Sequence, residues 1–251
     1  LLIGIAAVIF VLSSMPHDVT IGAFRPSHID NYLDANPIGV WSGQLWRLVT
    51  STLVHGNFLH IFFNCYWLWR FGPVLEGWMG KGLYLGLFVV LAVSSVGVEM
   101  MATLASPIGL SGVVYGMFGL LYALRRTKDF AAALMDQGTV QVMVFWFFLC
   151  ILLSATNTMG IANWAHGVGA LVGWLLGWAY LRPARQILIP FVASVSLLVG
   201  GASFYMPWNG DFCRYQAILR GQKNDVEGFN YWMSAANHAL VPPRIFNAPE
   251  P

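Results

Sequence analysis

The chain has 251 residues, of which 57% are apolar and only 10% charged, whereas soluble domains carry roughly 25% charged residues. This is the composition of a membrane protein. A formal net charge of +2, with basic residues scattered rather than gathered into a stripe, excludes a nucleic-acid-binding surface.

Apolar runs follow one another along the chain at a length that matches about 30 Å of hydrocarbon, roughly 20 residues each. The first, residues 1–15, opens at Leu1 inside an apolar stretch, so the native N-terminus is expected to lie upstream. Longer runs at 57–79, 82–104, 140–157, 163–181 and 187–206, and a shorter one at 108–124, bring the expected set to seven. The predicted fold is therefore all-α, a polytopic membrane helix bundle. Between the first two runs lies a mixed segment, 16–56, containing "IGVWSGQLWRLVTSTLVHGN". Its Trp41, Leu45 and Trp46 suit the membrane interface, where aromatic rings collect. Residues 207–251 form a polar tail with two short helices expected near 211–220 and 225–239, read as a helical hairpin or a partly ordered appendage. Cys65, Cys150 and Cys213 have no metal-like spacing and imply no disulfide framework.

Orientation follows from lysine and arginine near the ends of spans. Lys81, the group Arg125, Arg126 and Lys128, and the pair Arg182 and Arg185 mark the cytoplasmic connections, while 105–109 and 157–163 carry no basic residue. By alternation the 16–56 loop is outside, and with a seventh span the tail is outside too.

In this arrangement the run beginning at Gly109 and the run beginning at Asn163 both start at the outer face. They deliver Ser111 and His166 to the same depth, each in a first helical turn. Gly169, Gly173 and Gly177 follow His166 within roughly 80° of one helical face, and Gly112, Gly116 and Gly119 line a stripe beside Ser111. Small residues at such spacing let membrane helices approach closely. A close crossing with Ser on one helix and His on the other is what a serine nucleophile and its general base require.

His60 and Asn64, one turn apart on a third helix that starts outside, add polar groups at that depth. They and the backbone N–H groups opening the Ser111 helix could hold an oxyanion. Gly109 permits a tight bend with close backbone approach, and Gly112 leaves room beside the hydroxyl. Tyr115, one turn below Ser111, could orient the imidazole. No acidic residue occupies a recognisable third position; Glu76 lies at the inner end, and Glu99 sits in no evident pairing. The residues read as a Ser/His dyad.

Taken alone, Ser111 in a small-residue stripe would be a packing residue; four polar residues converging at one depth are not explained by packing, and an ionisable group inside a span points to function. His55 reads as structural or interfacial, and Arg70 with Glu76 as an inner-end ion pair or a snorkelling cation. A zinc protease would need H-E-x-x-H or a third ligand, and neither is present. A carrier would need paired repeats with broken helices, and no duplication is seen.

The segments "HGNFLHIFFN", "GLSGVVYGMFG" and "NWAHGVGALVG", in that order and spacing, resemble the rhomboid intramembrane serine proteases, as do the pair Trp46 and Arg47 and the segment "RFGPVLEGWMG". The resemblance covers residues 1 to about 181. It implies a six-helix core, 1–185, that cleaves a peptide bond in or near a substrate's transmembrane segment; the seventh transmembrane helix expected at 187–206 and the tail depart from the minimal bacterial six-helix pattern. It further implies Ser111 as nucleophile, His166 as general base, and an oxyanion hole formed by His60, Asn64 and the Ser111 amide and shaped by Gly109. Tyr115 would stack on His166, and Trp46 and Arg47 would belong to a loop partly in the outer leaflet. No cofactor or metal is implied. The expected partners are transmembrane protein substrates and membrane lipid, in a bacterial cytoplasmic membrane with the site toward the outer face. A catalytically silent relative that binds transmembrane helices is the alternative; the sequence sets no oligomeric state.

Overall fold

The computed structural model describes residues 1–20 and 25–243; residues 244–251 of the expected tail lie outside them. Seven apolar helices build the bundle: α1 (Leu2–Ser13), α2 (Phe58–Met79), α3 (Lys81–Thr103), α4 (Ser111–Leu124), α5 (Gln137–Ala155), α6 (Asn163–Tyr180) and α7 (Arg185–Gly201). The tail supplies α8 (Gly210–Gly221) and α9 (Val226–Asn237). Asn57 accepts from the His60 N–H at the start of α2, and Asp136 from the Thr139 N–H at the start of α5. Such caps satisfy donors that a helix leaves without an internal partner, typically for ~1 kcal/mol each.

By length and composition α3, α5 and α7, the last extended by a terminal turn to Phe204, could cross a membrane. α2 and α6 have 22 and 18 residues, but His60, Asn64 and Arg70 interrupt the first and Asn163 and His166 the second. α4 has only 14 residues, a length of about 21 Å at 1.5 Å per residue, against about 30 Å of hydrocarbon. A helix this short cannot reach both faces. Its first residue, Ser111, is supplied by the non-helical segment before it.

α4 is the buried centre, and α6 lies against it. A methyl group on Gly169 would meet the Gly112 carbonyl, one on Gly173 the Gly116 carbonyl, and one on Gly119 the Ala170 carbonyl. The two backbones are thus in direct contact along three turns. α3 packs against both α4 and α6, and α7 against both α3 and α6; at the α3–α7 contact Gly97 and Gly200 meet in the same manner. At the end opposite Ser111, Trp78 packs on Phe130 and Tyr180. Arg182 lies over the Trp178 ring and Arg185 over Tyr180, so the basic residues gather at that end.

The tail is a hairpin, as expected, and it docks. Phe212, Cys213, Tyr215 and Ala236 form a second core with Ala35, Val40, Trp41 and Leu48 of the long loop and Val96 and Met100 of α3. Loop and tail therefore share one face of the bundle. This corrects the expectation for Trp41: it is only 3% exposed and belongs to this core rather than to a membrane interface. Leu45 and Trp46 are exposed, as an interfacial position requires.

Gly173→Val places branched carbons against a neighbouring backbone that cannot retreat. It should cost about 3 kcal/mol or prevent folding. Gly86→Ala, which meets nothing within 4 Å, should be neutral or slightly stabilising; thermal unfolding in detergent compares the two.

Candidate active site

The α4–α6 contact brings the two predicted groups together. Ser111 Oγ and His166 Nε2 are 2.8 Å apart, a hydrogen-bond distance, and His166 is buried at 4% exposure. Its other ring nitrogen, Nδ1, has no partner among the described residues. The Tyr115 ring lies 4.8 Å from the imidazole, tilted by 33°, and its hydroxyl donates to the Met143 carbonyl at 3.1 Å. Tyr115 is thus tied to α5 and holds one face of the imidazole.

The approach to Ser111 is a bend. Gly109 has φ of +99°, in the region where a side chain is strained. A methyl group there would strike the His60 ring and lie 3.4 Å from Asn64 Nδ2. Gly109 is needed on both counts, and the same measurement places His60 and Asn64 beside the bend that delivers the serine. Gly112 has a different use from the one expected. A methyl group there would lie 2.6 Å from Ser95 Oγ and 3.3 Å from the Ala165 carbonyl, so its space is taken by α3 and α6 rather than left beside the hydroxyl.

From the dyad a cavity of about 470 Å³ extends between α2 and α5. Asn64, Ser111 and His166 line one end, apolar residues such as Trp67, Val142 and Trp146 its length, and Arg70 with Asp136 the other end. Arg70 pairs there with Asp136 at 4.0 Å, not with Glu76 as expected. Six residues apart on one helix, Arg70 and Glu76 point in different directions.

Residues 42–183, more than half of the chain, match the family model of the Rhomboid domain. The chain belongs to the rhomboid family. It is similar to the Rhomboid protease GlpG of Yersinia pestis (strain Pestoides F), with 31% identity over 147 residues that cover 57% of this chain and 51% of the relative. It is 34% identical over 136 residues to the Rhomboid protease GlpG of Photorhabdus laumondii, covering 53% of this chain and 46% of the relative. The chain spans about half the length of these curated relatives. As a rhomboid with long apolar helices it is an integral membrane protein. The rhomboid match includes every residue placed at the site and ends before α7.

Two supporting residues of this rhomboid were not assigned from sequence. Glu99, buried on α3, accepts the Ala165 N–H at 3.0 Å, immediately before His166. A carboxylate at a helix N-terminus satisfies free donors and suits the positive end of the dipole. Its burial in an apolar span was the available signal; the partner was not visible because it is backbone. His55, 2% exposed, accepts the Leu110 N–H on Nε2 at 3.4 Å, and its Nδ1 faces the Leu53 carbonyl at 3.2 Å. Of the predicted loop pair, Trp46 is exposed, while Arg47 is buried, paired with Asp34 at 3.0 Å and donating to the Asn31 and Asp34 carbonyls. Arg47 stitches the loop together.

Burial, reinforced by the neighbouring His60, holds the His55 imidazole down at about 4, below the ordinary ~6.5. The neutral ring that accepts from Leu110 then contributes its full stability above about pH 6.5, and this is lost as pH falls toward 4, where the unfolded state binds the extra proton. His55→Gln keeps an acceptor without a titration in this range. It should flatten the fall of unfolding temperature between pH 6.5 and 4, and superimposable native and variant profiles would contradict this assignment.

Proposed function

We propose that this rhomboid is an intramembrane serine endopeptidase that hydrolyses a peptide bond in or near the transmembrane segment of membrane-protein substrates. The observation that carries the reading is the 2.8 Å separation of Ser111 Oγ and His166 Nε2 at the head of a cavity that opens between two helices. Exposed apolar residues of both helices line that cavity, Phe62, Phe63 and Trp146 among them, and suit the arrival of an apolar substrate segment from the bilayer.

In this mechanism His166, with its proton on Nδ1, takes the Ser111 proton on Nε2 as the oxygen attacks the substrate carbonyl carbon. Negative charge collects on the carbonyl oxygen. His60, Asn64 and the free backbone N–H of Ser111 stabilise it, with the Gly109 bend bringing the first two within reach. The face of Tyr115 favours the cationic imidazolium that forms. Collapse breaks the C–N bond, and the imidazolium passes its proton to the leaving amine. Water, activated by the same imidazole, then releases the acyl group and restores the serine.

The domain assignment that accompanies this reading is a protease core over 1–185, a seventh transmembrane helix at 187–206 and a helical tail from 207. The bacterial sources of the relatives and the basic residues at the end opposite Ser111 support a bacterial cytoplasmic membrane with the site toward its outer face.

Ser111→Ala and His166→Ala should each abolish cleavage of a transmembrane substrate in proteoliposomes while leaving thermal unfolding unchanged. His60→Ala and Asn64→Ala should each slow it by roughly 10²- to 10³-fold. A fluorophosphonate probe should modify Ser111 in the native protein and not in His166→Ala. Cleavage by Ser111→Ala would sink the nucleophile assignment, and a folded native protein that takes no probe would favour a silent helix-binding relative.

A further inference from the structure

Two contacts from beyond the rhomboid match lead to the two members of the dyad. The first begins at Phe212, only 1% exposed, whose ring lies 5.5 Å from Trp41, 5.3 Å from Tyr205 and 5.8 Å from Trp232. Trp41 is held on a second side by Tyr215, at 5.8 Å, and its Nε1–H donates to the Ser203 carbonyl at 3.2 Å. The loop that follows Trp41 shares this core through Leu48 and then turns down over Ser51–Leu53. There the Ser51 carbonyl accepts the Gly109 N–H at 3.1 Å and His55 accepts the Leu110 N–H. Both residues immediately preceding Ser111 thus hang from a loop whose other end is gripped by the tail.

The second contact runs through α7. Gly200 lies against the backbone of Val93 and Ser94, and Gly97 against Gly200, so α7 touches α3 without intervening side chains. Two residues further along α3 is Glu99, which holds the N–H of Ala165 beside His166. One route reaches the serine and the other the histidine.

We propose that α7 and the α8–α9 hairpin are a positioning element of the active site, with Phe212 and Trp41 as its positioning residues, setting the register of Ser111 against His166 through the 41–55 loop. The inference rests on the serine-protease reading. It gives the tail a role in the rate of the chemistry rather than in substrate capture. The cavity supports that division, because among the described residues none beyond His166 lines it.

The test uses the full chain in proteoliposomes with Phe212→Ala, Phe212→Leu and Trp41→Phe. Phe212→Ala should lower kcat by about tenfold, since misplacement by a change far from the chemistry costs up to ~10²-fold, with KM within about twofold. Phe212→Leu, which refills most of the volume, should restore most of kcat. Trp41→Phe keeps a ring while removing the bond to Ser203 and part of the packing volume, so it should give a smaller fall of the same kind and serves if Phe212→Ala does not fold. The rate of fluorophosphonate labelling at Ser111 should fall in step with kcat, and deuterium uptake over residues 105–112 should rise.

Native kcat and labelling in a folded variant whose 210–221 segment takes up deuterium faster would overturn the proposal, as would a change confined to KM. If the native protein takes no probe at all, the protease reading fails by itself, and uptake over 105–112 still decides whether the tail holds the bend: raised uptake supports the coupling, unchanged uptake removes it.

Discussion

The backbone contact between α4 and α6 is the constraint on which the site depends. Gly169 and Gly173 lie against the carbonyls of Gly112 and Gly116, and Gly119 against that of Ala170, and this close approach lets a serine on one helix reach a histidine on the other. Side chains of ordinary size would hold helix axes 8–10 Å apart. In lipid no hydrophobic drive presses helices together, so close packing of small residues must supply the association. The same stripe that holds the bundle centre together thereby sets the distance between Ser111 and His166.

Given that contact, the remaining devices fix depth and angle. Gly109 and Leu110, which lead into Ser111, are buried. The backbone leading to it must then find partners inside the protein, because unsatisfied groups are costly there. Ser51 and His55 accept from Gly109 and Leu110, and Glu99 does the same for the start of α6. Each is a buried acceptor meeting an orphan donor. A hydrogen-bonding requirement of the backbone thus also orients both members of the dyad.

The two cores divide the work. The larger one fills the bundle around α4, while the smaller joins loop, tail and the C-terminal end of α3. α7 packs on the larger core through Ile189, Val192 and Ala193, and the segment after it delivers Met206 to the smaller one. Its contact with α3 is a backbone approach at Gly97 and Gly200, the same device used between α4 and α6.

The helices and the polar residues of the site were legible in the sequence because both rest on local signals. Apolar run length marks a span, and Ser111, His166, His60 and Asn64 stand out because polar groups are rare in such runs. Glycine spacing named the contacting faces. Trp41 was misplaced because an aromatic residue in an amphipathic loop looks the same whether lipid or a distant tail covers it. Glu99 and His55 had no visible partner because each accepts from backbone N–H groups, which every residue carries and no sequence distinguishes. Arg70 met Asp136 across the cavity only because α2 and α5 are neighbours. What the sequence determined by itself was the set of apolar helices, the polar residues that meet at the candidate site and the face on which two helices meet; the tertiary structure alone decided which loop, carboxylate and tail pack around those residues, since those contacts join segments as far apart as Trp41 and Ser203 through packing and backbone bonds that leave no local pattern.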